Sequence, residues 1–189
     1  DTNTIAIFYR NGSMGVDTVQ ANLISAMDFS GALRRYTLPA GWLYDDVMCV
    51  DTDDDGTNLL YVIMKNGSHA SVATATLNAD HTLAAGSGVS TIAAGFNATD
   101  VIDCATDSAG AGAGDTALFF RNGTMLEAAG DEAVPFAFSV ARTYSLLAGF
   151  STRNVVGVAV DDDANDVAVF FNNGSIDFNG TNIDFDNNL

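Results

Sequence analysis

Ile7-Phe8-Tyr9-Arg10-Asn11-Gly12-Ser13 returns as Ile63-Met64-Lys65-Asn66-Gly67-Ser68, as Phe119-Phe120-Arg121-Asn122-Gly123-Thr124 and as Phe170-Phe171-Asn172-Asn173-Gly174-Ser175. The asparagines are 55, 56 and 51 residues apart. An apolar run that breaks at Asn-Gly reads as a strand entering a tight hairpin turn, where φ > 0 is needed. Working outward, Ala40-Gly41-Trp42, Ala94-Gly95-Phe96 and Ala148-Gly149-Phe150 form a second marker with a spacing of 54 both times. A third marker is an apolar strand entering an acidic loop: Val47 to Asp55, Val101 to Asp107 and Val155 to Asp163. Markers that keep one order and one period define an internal repeat of about 54 residues.

One unit reads as strand A, acidic loop, strand B, Asn-Gly turn, strand C, strand D. Val155-Val156-Gly157-Val158-Ala159-Val160 is a continuous apolar run, the pattern of a strand buried on both faces. Asp166-Val167-Ala168-Val169-Phe170-Phe171 is the strand that returns from the acidic turn. In the second unit, Ala70 to Leu77 and Val89 to Ala93 are the expected strands C and D. Ala21 to Met27 has helical spacing but is short and uncapped, and it is read as a strand. The Gly-aromatic pair closes the unit, with its ring packing between neighbours. Four short strands at a period of about 40–55 residues describe a propeller blade.

The expected fold class is therefore all-β: a repeat architecture in a single domain. It forms a small β-propeller-like ring of about four units, spanning roughly 1–45, 46–99, 100–153 and 154–189. The sequence opens at strand B, and Asn182-Ile183-Asp184-Phe185-Asp186 resembles a strand A. The N- and C-terminal strands are thus expected to pair and close the ring, which removes exposed sheet edges. The fourth unit is incomplete. The Asn-Gly asparagine precedes the next acidic loop by 42, 41 and 39 residues in the first three units, but Asn173 precedes Asp186 by only 13. Either the ring closes on a thin unit or a strand from a neighbouring subunit completes it.

Composition narrows the function. The 189 residues are 48% hydrophobic, which excludes a disordered chain, and no apolar run is long enough to span a membrane. With 24 Asp+Glu against 7 Lys+Arg the net charge is −17. Nucleic-acid binding and attachment to anionic membranes are excluded, because both need a positive surface. The only glutamates are Glu127 and Glu132, and the aspartates cluster in loops. That bias suits turns, a solvated acidic surface or a hard cation. The start at Asp1 leaves two expectations open, a processed N-terminus or an initiator Met missing from the sequence.

Asp51-Thr52-Asp53-Asp54-Asp55-Gly56 has the D-x-D-x-D-G pattern, whose oxygens can wrap Ca²⁺ while the glycine allows a sharp turn. In its strand-loop-strand setting this loop resembles the FG-GAP/VCBS-type repeats of integrin-like propellers. The run Asp166 to Gly174 resembles the strand and turn that follow in those repeats. The resemblance covers most of the chain through the repeat. It implies an extracellular, calcium-stabilised propeller used for adhesion or ligand binding. The expected ligands are Asp51, Asp53, Asp55 and Asn58, the last standing beside a position occupied by Leu59. The second loop keeps Asp107 and Asp115 but has Ala109 and Ala111 between them, and Asp161 to Asp166 is too short for the pattern.

No residues are assigned to catalysis. His69 follows a turn, His81 lies in a polar loop, and Glu127 and Glu132 stand apart from one another. No Gly-x-Ser-x-Gly elbow or phosphate-cradling loop occurs. Cys49 and Cys104 fall on strands A of successive units, which leaves a disulfide or two buried thiols as the readings. Trp42, Phe96 and Phe150 recur with the period, as inter-unit packing or as sugar-stacking platforms. The sequons at Asn11, Asn66, Asn97, Asn122, Asn173 and Asn179 permit glycosylation, although four of them coincide with the Asn-Gly turn.

Together these features predict a non-enzymatic, secreted protein of the cell or virion surface. It would partner itself as a self-assembling subunit of a filament, layer or appendage, with Ca²⁺ as cofactor. The alternative is a lectin-like propeller adhesin that binds glycans.

Overall fold

The structure is a computed structural model that describes residues 6–16, 33–53, 59–73, 79–107, 115–128, 135–146, 148–161 and 166–179. The expected strands at 21–27 and 182–186 lie outside them. The chain is all-β, with strands in several small sheets. The first sheet holds β1 (Ala6–Phe8), β2 (Ser13–Val16) and β3 (Arg34–Thr37). The second holds β4 (Val47–Asp53), β5 (Leu59–Met64) and β6 (His69–Ala73), then, beyond the short β7 (His81–Thr82), β8 (Ala84–Ala85). After β9 (Thr91–Ile92) the third sheet takes β10 (Val101–Asp107), β11 (Asp115–Phe120) and β12 (Thr124–Ala128). Past β13 (Ala137–Phe138) it adds β14 (Val140–Thr143). The fourth sheet is β15 (Val155–Asp161), β16 (Asp166–Phe171) and β17 (Ile176–Asn179).

The repeat is reproduced bond by bond. Strands β4, β10 and β15 each follow a single 3-10 turn, at Tyr44–Asp46, Ala98–Asp100 and Thr152–Asn154. Each of these strands carries a register shift at the same place, between Val47/Cys49, Val101/Asp103 and Val155/Gly157. The end of each 3-10 turn is tied to the next hairpin: the amides of Lys65, Arg121 and Asn172 donate to the carbonyls of Asp46, Asp100 and Asn154.

The hairpin is a three-residue loop rather than the two-residue turn that Asn-Gly suggests. Gly67 N–H donates to Met64 O at 2.7 Å and Met64 N–H to Ser68 O at 2.8 Å, with Gly67 at φ +84°. A type I turn followed by one left-handed residue has this form. The asparagine has a different job: Asn66 Oδ1 accepts from Ser68 N–H at 2.9 Å. Asn11, Asn122 and Asn173 do the same in their own turns.

Strand C of the second unit is β6, and residues 74–77 of the expected 70–77 lie outside the described ones; its outer partner is β8 rather than 89–93. The segment at 91–92 leaves its own sheet and runs parallel to β13, while β3 runs parallel to β7. Each of these parallel bridges joins one unit to the next. The fourth sheet has no outer strand among the described residues, whereas β3, β8 and β14 fill that place in the other three.

The sheets stack face to face, and alternation along each strand sends side chains to both neighbours. On β5, Leu60, Val62 and Met64 join the core shared with the first sheet, while Tyr61 and Ile63 join the core shared with the third. On β11, Leu118 and Phe120 face back, and Ala117 and Phe119 face on to Val167, Val169 and Phe171. Leu60, Val62, Ile63 and Leu118 are fully buried, each contributing about 1.5–3 kcal/mol.

Two glycines test the turn geometry. Gly95, at φ +94°, has nothing within 4 Å of where a Cβ would stand, so Gly95→Ala should cost about 1–2 kcal/mol from backbone conformation alone. At Gly67 the Cβ would overlap the Ser90 carbonyl oxygen and stand 2.5 Å from Val89 Cγ1. Gly67→Ala should therefore lose roughly 3 kcal/mol or more in urea unfolding. Equal losses for the two variants would contradict this packing.

Candidate functional site

The first strands of successive units lie side by side at the centre of the stack, and one position on them is used repeatedly as a cross-tie. At the register shift that opens each strand, Cys49 and Asp103 reach the following unit, while the Gly157 position faces back toward Asp103. Cys49 is disulfide-bonded to Cys104, with a Cα–Cα distance of 5.6 Å. One unit later, Asp103 Oδ2 accepts from the backbone N–H of Val158 at 3.0 Å, and its Oδ1 accepts from Cys104 N–H at 3.0 Å. Gly157 leaves room for this carboxylate, since a Cβ there would stand 3.3 Å from Asp103 Oδ2. A covalent tie thus joins the second and third sheets, and a carboxylate joins the third and fourth.

Desolvation pushes the Asp103 carboxyl up to about 7, against the two N–H bonds that favour its anion. A polar chain crosses the same junction as the disulfide. Tyr61 and Thr106 hydroxyls are 2.6 Å apart, Thr106 and Thr116 hydroxyls 3.1 Å, and Tyr61 also lies 3.4 Å from Asp51 Oδ2. Apart from Asp51, expected as a Ca²⁺ ligand, nothing in the sequence pattern flagged these groups. A lone Asp or Thr inside an apolar strand is the only signal they give.

Asp51 and Asp53 are ladder residues of β4, opposite Tyr61 and Leu59. Asp51 is engaged with Tyr61 at the junction with the third sheet. The Asp53 side chain, Asp55 and Asn58 lie outside the described residues. Among the described residues no three acidic, His or Cys side chains converge on one point.

Phe96 and Phe150 are half-buried, their ring centroids 5.1 Å from Phe120 and 4.5 Å from Phe171. Trp42 packs on the core between the first and second sheets. Sugar stacking would have to use what these contacts leave exposed. A groove of about 300 Å³ opens beside Phe96, lined also by Met64, Lys65, Asn66, Ile92 and Asn97. Asn11, Asn66, Asn97, Asn122 and Asn173 are exposed, and the side chain of Asn179 is outside the described residues. Asn97 caps its 3-10 turn through Thr99 N–H at 3.1 Å.

Tyr36 and Tyr144 close the hairpins of the first and third units. Their hydroxyls donate to the carbonyls of Tyr9 and Phe120, each at 2.7 Å. Burial pushes both phenols up to about 12 and so keeps the donors protonated. His69 is buried on β6; desolvation lowers its pKa, and its Nδ1 has no hydrogen-bond partner among the described residues. Glu127 is not isolated, as its place in the sequence suggests. It is buried on β12 with Arg142 Nε 2.6 Å from Oε1. Removing Arg142 would take a cation from the buried Glu127 carboxylate.

Comparison with protein-family models and with curated proteins finds no match. The FG-GAP/VCBS resemblance therefore rests on its motifs alone.

Asp103 yields a pH prediction. Its folded carboxyl titrates near 7 against 3.8 for an ordinary one, so between those values the folded chain binds more protons than the unfolded chain. This contribution to stability is complete below about pH 4 and is lost as pH rises through 7. The difference in melting temperature between Asp103→Asn and the parent should therefore shift in favour of the variant between pH 4 and 7. Parallel pH profiles for the two proteins would contradict a desolvated Asp103.

Proposed function

We propose that this chain is a non-enzymatic extracellular structural protein of the cell or virion surface. It works as a self-assembling subunit of a filament, layer or appendage. In this reading the four stacked sheets curve into a propeller-like ring of FG-GAP/VCBS type. A terminal strand pairs beside β1, and a strand of another subunit completes the fourth sheet. The observation that carries the reading is the state of that sheet. Its β17 edge has no outer strand among the described residues, and Val156 and Ile176 are 58% and 37% exposed. Met48, at the position equivalent to Val156, is buried between the second and third sheets. An open strand edge beside exposed apolar side chains is a template for another chain. The Cys49–Cys104 bond is in keeping with an oxidising, extracellular setting.

Size-exclusion chromatography with light scattering, followed by negative-stain microscopy, tests this. Polymers or ordered oligomers are the expected result, and a monodisperse monomer would remove the reading. The groove beside Phe96 favours the glycan-binding adhesin as the second reading. A monomer that binds defined sugars on a glycan array would put it first.

Calcium belongs to the proposal through the oxygen donors of Asp51, Asp53, Asp55 and Asn58. Free Ca²⁺ at a hundred times its Kd would stabilise the fold by about 2.7 kcal/mol. That corresponds to a rise in Tm of roughly 5–10 °C over the same protein in EGTA, at about 2–4 °C per kcal/mol for this size. Coincident melting curves would strike the ion from the proposal.

A further inference from the structure

Two places in each unit decide how its Asn-Gly corner is filled. Tyr36, Ser90 and Tyr144 stand 54 residues apart, and each donates its backbone N–H to the glycine carbonyl of its own turn, at 2.8, 2.8 and 2.9 Å. In the first and third units this residue lays a phenol ring along the corner. Tyr36 meets Phe8 with ring centroids 5.9 Å apart, and Tyr144 meets Phe119 at 5.5 Å. Their hydroxyls end on Tyr9 O and Phe120 O, which also accept from the N–H groups of Gly12 and Gly123. Tyr44, Ala98 and Thr152 form the second place, again 54 apart, each at the opening of a 3-10 turn. Tyr44 crosses Tyr36 at 5.5 Å and donates to Tyr36 O at 2.9 Å.

At the junction of the second and third units both places hold small residues, Ser90 and Ala98. The groove of about 300 Å³ opens there, with both of them in its wall and Met48, Met64, Ile92 and Phe96 as its apolar sides. The acceptors are kept although the rings are not. Met64 O, the counterpart of Tyr9 O and Phe120 O, accepts from Gly67 N–H at 2.7 Å, and among the described residues no hydroxyl joins it. A carbonyl oxygen has a second lone pair to offer. Ser90 O is the counterpart of Tyr36 O. The Ser90 hydroxyl is engaged elsewhere, where it accepts from Phe136 N–H at 3.0 Å.

We infer that this groove is a binding site for a neutral phenol ring. The ring takes the place that tyrosine side chains hold in the neighbouring units, and its hydroxyl donates to Met64 O as theirs donate to Tyr9 O and Phe120 O. The fold supplies the template: the same turn, the same backbone bond and the same carbonyl, with the ring removed from the chain. The volume lies at the small end of ligand pockets, which suits one six-membered ring. A flat ring buries apolar area against the two methionines and Ile92, and Phe96 offers it an aromatic contact. One donor meeting one carbonyl between apolar walls fits a phenol better than a sugar, whose several hydroxyls would need several partners. The site does not depend on self-assembly, and it competes with the glycan reading for the same groove.

The test is isothermal titration calorimetry with p-cresol on the whole chain, checked by saturation-transfer NMR. One equivalent should bind. 4-Methylanisole keeps the ring but has no O–H, and should bind about 3- to 10-fold more weakly, the worth of one hydrogen bond to a carbonyl. Methyl α-glucoside should not bind. Ala98→Tyr, which restores a ring on the pattern of Tyr44 and leaves the Ser90 contact alone, should abolish p-cresol binding without lowering Tm. If it melts early, Ser90→Tyr gives the same test from the other place, and if both melt early the ligand series on the parent decides. Absence of saturable p-cresol binding, equal affinity for 4-methylanisole, or binding unchanged in a folded filled variant would each overturn the site. Any of these results leaves self-assembly as it stands. Binding of the glucoside without p-cresol, lost in Ala98→Tyr, would overturn it in favour of the glycan reading.

Discussion

No sheet of this protein can persist by itself, because its strands are apolar on both faces. β5 is the plainest case: alternate residues enter two different cores, and five of its six side chains are buried. A lone sheet of this kind would leave one face in water, at about 25 cal/mol for every Å² of apolar area. Stacking is therefore a requirement of the sequence, and the number of units is set by how far the pattern repeats. The same requirement falls on the terminal sheets. The fourth presents Val156 and Ile176 where an interior sheet has buried side chains.

Stacking by apolar contact alone would allow the sheets to slide. The register shift near the start of β4, β10 and β15 supplies the restraint. Beside it, Cys49 and Asp103 reach across to the following strand, while Gly157 at the equivalent place leaves room for the Asp103 carboxylate. Each choice sets a different strength: a covalent bond between the second and third sheets, a carboxylate whose hold depends on protonation between the third and fourth, and no side chain on the fourth. The inner strands are thus fastened most firmly in the middle of the stack. Phe96 and Phe150, which follow Gly95 and Gly149, pack at the same two junctions, and Trp42 packs at the one between the first and second sheets.

Much of this was legible in the sequence, for identifiable reasons. The hairpins were readable because Asn-Gly is both rare and mechanically specific, and strands A and B because runs such as Val155–Val160 have no polar break. The outer strand of the second unit was misplaced. Val89 to Ala93 looks more strand-like than Ala84-Ala85, whose small side chains carry little β preference. Backbone pairing with β6 decided the matter, and the more apolar stretch went to a parallel bridge with the next unit. Glu127 looked isolated because its partner Arg142 comes from a strand placed beside it only by the fold. The acidic motif at Asp51 suggested a loop, yet its first residues continue the ladder. The cross-strand neighbour Tyr61, invisible in the linear pattern, engages the first aspartate.

The hairpins also bear on chemical ageing. In a mobile peptide, asparagine before glycine is prone to lose its amide, because the glycine nitrogen can attack the side-chain carbon and close a succinimide ring. Here each such nitrogen donates its hydrogen to a carbonyl across the turn, at Tyr9, Met64, Phe120 or Phe171, while the asparagine oxygen holds the amide two residues on. Both reacting groups are held in other bonds, so deamidation must wait for the corner to open. In the folded state that protects four corners whose conversion to aspartate or isoaspartate would set new anions among the few cations this chain has.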